Sequence, residues 1–233
     1  MATFLLVHGA WAGGWCYKRV AKLLRSQGHE VYTPTNTGLG ERAHLYHPAI
    51  SLDTHVEDIM NVVRWEDLDD FVLAGHSYGG MIVTGVADKI PEKIRTLVYI
   101  DAFVPENGKC QFDYLPQRVE GMRKDAEANN NGISPIPPEV FMVNQDDVPL
   151  FKSKCVRHPI HTFDQPVKLS GGLSRLRNKR VFVSAAAYGG TFKQFYDVLK
   201  DDRNWRTYKV ENCGHMIMLD KPVELAKILL DSI

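Results

Sequence analysis

Apolar and polar positions alternate along the two ends of the chain in blocks whose period switches between strand and helix. Thr3 to Val7 is a short, continuous apolar run, the pattern of a strand covered on both faces. Trp15, Val20, Leu23 and Leu24 follow at helical spacing up to Arg25, and Gly28 ends that stretch. Val31 to Thr33 reads as a strand and Pro34 to Arg42 as a turn-rich loop. Asp53 is the expected N-cap of a helix running to about Trp65, with Val56, Ile59, Met60 and Val63 on one face. Phe71 to Ala74 predicts a buried strand, Met81 to Ala87 a helix, and Thr96 to Val104 another strand after a turn at Pro91-Glu92. Near the C-terminus come a strand at Lys179 to Ser184 and a helix at Thr191 to Lys200 with Phe192, Phe195, Tyr196 and Leu199 inward. A last strand covers Trp205 to Val210. A final helix opens at Pro222 and turns Leu225, Ile228 and Leu229 inward. Strands alternating with amphipathic helices imply an α/β fold with a mostly parallel, doubly wound sheet.

Between these ends the alternation stops. Eight of the twelve prolines lie between Pro105 and Pro166, and Asn129-Asn130-Asn131-Gly132 and Pro135-Ile136-Pro137-Pro138 read as loops. The expected organisation is a core formed by residues 1–104 and 177–233, interrupted by a cap at 105–176. Phe112, Tyr114, Leu115, Phe141, Val143, Leu150, Phe151 and Phe163 supply enough apolar surface for that insertion to pack on the sheet rather than stay disordered.

Composition narrows the function classes. A chain of 233 residues, 44% hydrophobic, suits one globular domain with a sizeable core. Zero net formal charge gives no reason to expect nucleic acid or an anionic membrane as partner. Cys16, Cys110, Cys155 and Cys213 show neither a C-x-x-C pair nor metal-ligand spacing, so no metal is expected and the thiols read as reduced, in a cytoplasmic protein. The run from Met1 to Gly9 lacks a basic leading region and is a strand, not a signal peptide. No apolar run approaches the roughly 20 residues that span a bilayer. The expected partner is a small molecule, and the expected state a monomer or homodimer.

The chemistry gathers at the strand ends. Gly75-His76-Ser77-Tyr78-Gly79 has the form G-x-S-x-G between an apolar strand and an apolar helix. A serine on such a turn is held in a strained backbone with its hydroxyl above the sheet, and the flanking glycines let strand and helix pass closely. A serine hydroxyl needs a base. Of nine histidines, His215 alone sits in a Gly-His loop between the last strand and the last helix. The first strand ends in His8-Gly9-Ala10-Trp11-Ala12-Gly13-Gly14-Trp15, a loop whose backbone N–H groups can face an oxyanion.

These motifs, in this order, resemble the α/β-hydrolase fold, and within it the small-cap branch of plant hydroxynitrile lyases, methyl-ester esterases and related bacterial esterases. The resemblance covers nearly the whole chain and is weakest in the cap. It implies Ser77 as nucleophile, His215 as base, and an oxyanion hole formed by the backbone N–H groups of Ala10 and Tyr78. Each such donor is worth roughly 3 kcal/mol of barrier. It implies no cofactor. Two positions depart from the pattern. The triad acid usually follows the strand before the penultimate helix, but here that segment is Ser184-Ala185-Ala186-Ala187-Tyr188-Gly189-Gly190-Thr191, without a carboxylate. Asp101, at the end of the strand after the serine helix, is the substitute, as in some haloalkane dehalogenases; capping a turn or bracing the cap is the alternative role. The lyase branch keeps a lysine after its histidine and a threonine after its first histidine, where this chain has Met216 and Gly9, which favours hydrolysis. Trp11, Met216, Phe112 and Phe141 are the expected pocket residues, with Arg42 and His44 at a polar end. The expected function is cleavage of a small, largely apolar ester, extending to a carbamate or amide, through an acyl-serine. The alternatives are a catalytically weak binding protein on the same fold, or a C–C lyase using the same pocket.

Overall fold

The first apolar run becomes β1 (Thr3–Val7), and a short 3-10 turn leads into α1 (Lys18–Ser26) and β2 (Glu30–Tyr32). The computed structural model describes residues 1–233. Next come α2 (Leu52–Trp65), β3 (Phe71–His76), α3 (Gly79–Lys89) and β4 (Ile94–Ile100). Residues 101–179 add α4 (Val119–Ala128), β5 (Gly132–Ile133), α5 (Val148–Lys154), β6 (His158–Pro159) and α6 (His161–Asp164), and none of them joins the main sheet. The chain returns with β7 (Arg180–Ala185), α7 (Lys193–Leu199), β8 (Trp205–Val210), α8 (Ile217–Asp220) and α9 (Pro222–Leu230).

The six-stranded sheet has the order β2-β1-β3-β4-β7-β8, and every pairing is parallel. The strand order reverses between β1 and β3, and right-handed crossovers then put helices on both faces. α1 packs against α9 and α2 against α3, as two such layers require. β3 is buried along its whole length, which is why it carries no polar alternation. In open sheets of this kind the crevice beyond the carboxyl ends of the strands, at the reversal, is where ligands bind.

Several local expectations shift. The N-cap of α2 is Ser51, not Asp53: the Ser51 N–H donates to Thr54 Oγ1 (3.3 Å) and the Ser51 side chain accepts the Thr54 N–H. Asp53 instead accepts from Gln165 Nε2 at 2.6 Å and so ties α2 to the intervening segment. The strand expected at Thr96 to Val104 stops at Ile100, because Asp101 turns left-handed at φ 42°. The proline-rich segment is ordered. β5 and β6 pair antiparallel, and Phe112, Phe141 and Phe163 belong to one continuous cluster of 61 buried apolar residues that includes β1, β3 and β4.

Candidate active site

Five carboxyl-end turns converge. β1 delivers His8 to Trp11, β3 delivers Ser77, β4 delivers Asp101, β7 delivers Ala185 to Tyr188, and the turn after β8 delivers His215. Ser77 has φ 55°, a left-handed conformation that costs a non-glycine residue on the order of 1–3 kcal/mol. The strain is held by backbone bonds. Ser77 N donates to Ile100 O (3.3 Å), while Gly80 N and Phe103 N donate to Ser77 O at 3.0 and 3.2 Å. The flanking glycines are sterically required, since a Cβ on Gly75 would meet Gly79 O at 2.6 Å, and one on Gly79 would meet Val7 O and His8 O at 2.8 Å. Among the backbone hydrogen bonds neither Ala10 N nor Tyr78 N is used as a donor, which leaves two N–H groups free beside the serine.

His215 and Asp101 meet. His215 Nδ1 donates to Asp101 Oδ2 at 2.7 Å, with both side chains 2% exposed. The second carboxylate oxygen accepts from Ala185 N at 3.2 Å, and Asp101 N donates to Val183 O at 2.6 Å, so β7 fixes the carboxylate from both sides. Burial pushes the Asp101 carboxyl up from its ordinary range, opposed by the Ala185 N–H and, geometrically, by the His215 N–H. Burial, helped by the Arg118 guanidinium, pulls His215 down to about 3, so its imidazole is neutral at neutral pH. A ring donating from Nδ1 offers a lone pair at Nε2. His215 Nε2 and Ser77 Oγ are not hydrogen-bonded at rest, and no other protein group takes either atom. Contacts of this kind are often loose without substrate and tighten when it binds.

The His215 ring is held by its neighbours. Phe192 stacks on the imidazole at 4.9 Å and 4°, with Tyr188 at 4.9 Å and Phe141 at 5.0 Å. His76, immediately before the serine, donates from Nε2 to His215 O at 3.0 Å. His215 N donates to Phe141 O (2.9 Å), and Gly214 N donates to Asp220 Oδ2 (2.8 Å). Gly214 cannot carry a side chain, because a Cβ would lie 2.2 Å from Met142 O.

A narrow cleft with only about 20 Å³ of free volume at rest opens over Ser77 and Ala10. Trp11 and Phe141 line it, as expected, but Phe112 and Met216 do not. The Phe112 ring turns edge-on to Phe163 (5.8 Å) under the Arg123 guanidinium, and Met216 is buried at the start of α8. Arg42 donates to Thr35 O at 2.8 Å, and neither it nor His44 reaches the cleft. Gln111, Arg118, Tyr188 and Phe192 are wall residues that the pattern missed. Gln111, Arg118 and Tyr188 lie in turns without periodicity, and Phe192 was expected in a helix stripe. No group of three or more His, Cys, Asp or Glu side chains is arranged to hold a metal ion, and no helix is long and apolar enough to cross a membrane.

A model of the alpha/beta hydrolase family matches residues 4–228. The chain belongs to that family. A carbendazim hydrolyzing esterase of Nocardioides sp. (strain SG-4G) is 43% identical over 98% of this chain and 98% of its own length. Methyl jasmonate esterase 1 of Vitis vinifera is 28% identical over 97% of this chain and 94% of its own. Among solved structures, an extracellular alpha/beta-hydrolase from a Paenibacillus species superposes with a TM-score of 0.84 at 24% identity, covering 100% of this chain and 99% of that one, which reports the shared fold. The esterase relatives place the chain in the carboxylesterase-type branch of the family, acting on small-molecule esters.

Proposed function

We propose that Ser77, His215 and Asp101 form the catalytic triad of this esterase, with Ala10 N–H and Tyr78 N–H as its oxyanion hole. The observation that carries the reading is the buried 2.7 Å bond from His215 Nδ1 to Asp101 Oδ2. It fixes the tautomer a base needs and leaves a carboxylate to stabilise the imidazolium. In the reaction, Ser77 Oγ attacks the ester carbonyl as its proton passes to His215 Nε2. The carbonyl π electrons move to oxygen, where the free N–H groups of Ala10 and Tyr78 receive the charge. Collapse expels the alkoxide, which takes the proton from His215 and leaves as alcohol. Water, deprotonated by His215, then attacks the acyl-serine, the acid departs and the serine is restored. Every group needed is a side chain or backbone amide of one chain, so a monomer or a homodimer carries the site equally.

The mostly apolar cleft supports a small, largely apolar ester, and the reading extends to carbamates and amides. Likeness to the esterases above makes carbendazim and methyl esters of small acids the first substrates to try. Residues 105–176 act as the cap, since Phe141 touches both the cleft and the base. Four unpaired cysteines support a reducing, cytoplasmic setting. Ser77→Ala tests the assignment. Turnover of a nitrophenyl ester should fall on the order of a million-fold, as when a serine-protease nucleophile is removed. Fluorophosphonate labelling should vanish and the melting curve should hold. Turnover that survives in the folded variant overturns the assignment.

A further inference from the structure

We propose that Gln111 is a specificity-determining residue whose side-chain carbonyl receives an N–H of the substrate, so that the site is built for N–H carbamates above plain esters of the same shape. The inference rests on the acyl-serine reading and names the substrate class for that site. Gln111 opens a 3-10 turn, Gln111–Tyr114, which is pinned because Cys110 N donates to Asp113 Oδ2 at 2.7 Å. The turn gives its two neighbours different surroundings. Phe112 packs onto the buried Phe163, while Gln111 joins Ser77 and Ala10 on the wall of the cleft. Gln111 is 3% exposed, and its Oε1 is buried without a hydrogen-bond partner.

A buried carbonyl oxygen without a donor is rare in a folded protein and is a cost the chain carries for some purpose. Four other polar side chains share the wall, those of Ser77, Arg118, Tyr188 and Thr191, and none of them hydrogen-bonds Gln111. The missing partner is therefore a donor that arrives with the ligand. An amide-type N–H suits the site better than a hydroxyl, because it brings a donor and no lone pair, and the remaining walls are mostly apolar. Sites that hydrogen-bond a substrate N–H discriminate strongly against analogues that lack it, since the protein group is then left unpaired.

The experiment compares methyl N-phenylcarbamate with methyl phenylacetate, which replaces the N–H by CH2, in wild type and in Gln111→Met. The ratio of kcat/KM values between the two enzymes cancels the intrinsic reactivity of each ester. The expected result is a roughly five- to hundredfold loss of preference for the N–H substrate in Gln111→Met. A ratio unchanged within twofold overturns the inference. So does an equal loss on both esters, which would mean that Gln111 is satisfied by Arg118 and acts only on the shape of the cleft. Should Gln111→Met not fold, wild type alone decides: acetanilide should inhibit at least fivefold more tightly than 1-phenylpropan-2-one, and equal inhibition overturns the inference. Ser77-dependent hydrolysis of methyl phenylacetate without an N–H preference would leave the esterase reading standing, whereas no Ser77-dependent turnover of either ester would remove both.

Discussion

The rim of the sheet and the segment folded over it obey different rules. On the rim, Ser77 and Asp101 sit at positive φ, at 55° and 42°. Each follows a parallel strand and is locked by backbone bonds to its neighbours. The overlying segment, residues 105–176, holds its shape through side chains and short turns. Trp11 Nε1 donates to Ile133 O at 3.0 Å, Trp11 N donates to His158 Nδ1 at 3.2 Å, and Arg19 pairs with Asp147 at 2.6 Å. The covering segment has left-handed residues too, Asn130, Asn131 and Met142, but they lie in its turns, whereas the conformations of Ser77 and Asp101 are enforced by the sheet and carry the reactive side chains. The chemistry is expected to be sensitive to rim changes and the substrate range to changes above it.

The sharpest test of this division is Asp101→Asn. The amide keeps the size of the carboxylate but can present N–H where the base needs an acceptor, which favours the wrong imidazole tautomer. By analogy with such an exchange in a serine protease, kcat should fall about ten-thousandfold with KM nearly unchanged. Steady-state kinetics on a nitrophenyl ester checks it. An unchanged kcat would return Asp101 to the role of a turn brace and place the working acid elsewhere.

What could be read from the chain follows the same division. β1 and β3 were legible because strands buried on both faces must be continuously apolar, and the serine turn because only glycines fit beside it. The end of β4 was misread. Asp101-Ala102-Phe103-Val104 is as apolar as a strand, and nothing in that pattern announces a left-handed residue at Asp101. The Asp101–His215 pairing was legible only as a substitution for an absent carboxylate, since the two residues are 114 positions apart and meet only because β7 seats the carboxylate beside the turn after β8. In the covering segment, Phe112 looked like a wall and Gln111 did not. A one-residue difference on a 3-10 turn reverses which side chain faces the cleft, and hydrophobicity alone favours the wrong one.

Acid should weaken both regions together, by several kcal/mol. His8 and His55 are pulled down to about 4 by burial, His215 to about 3, and burial holds His76 and His158 well below the ordinary range. Four belong to the rim and α2, whereas His158 is in the covering segment. His8, His55 and His158 each use both ring nitrogens in a way suited to a neutral ring, His8 between Gly9 O and Asn36 N, His55 between Tyr78 and Thr37, and His158 between Trp11 N and Thr162. The unfolded chain takes up these protons as pH falls through about 6.5, and the folded chain refuses them. Stability therefore falls as pH drops from about 6.5 towards 4, by up to roughly 1.4 kcal/mol per pH unit for each histidine. Urea denaturation between pH 7.5 and 5 should show the slope. Because His215 itself stays neutral well below 6.5, the acid loss of activity should follow unfolding rather than a titration near 6.5. A reversible acid limb at 6.5 in fully folded protein would contradict the burial of this base.

A smaller effect is expected at His76, a positioning residue on the rim. Its Nε2–H holds His215 O, and its Nδ1 is buried with no partner. His76→Phe keeps the ring and removes this bond while Ile217 N still donates to His215 O at 3.0 Å, so the cost is that of one hydrogen bond, about 0.5–1.5 kcal/mol. The His215 loop is then freer, and kcat should fall by about ten- to a hundredfold with KM held. His76→Gln, which restores an amide donor, should recover most of it. Equal losses in both variants would mean that the imidazole matters for packing and not for the tether.

The least effect on catalysis is expected where hydrophobicity alone pointed to the substrate. Phe112 is 6% exposed, edge-on to Phe163 and beneath Arg123, and is not a wall of the cleft. Phe112→Ala should cost about 3–5 kcal/mol of stability, as buried aromatic truncations do, while kcat/KM in the folded fraction changes no more than about threefold, a shift of about 0.7 kcal/mol in barrier. Phe141→Ala is the contrast: that ring lies against both His215 and the cleft, so its loss should lower kcat/KM by at least tenfold for a comparable loss of stability. Thermal denaturation and ester kinetics on the two variants, measured side by side, separate packing from substrate contact within a single segment. If Phe112→Ala proved the more damaging to kcat/KM, its turn would have to rearrange when substrate binds, and the walls of the cleft would not be those of the resting enzyme.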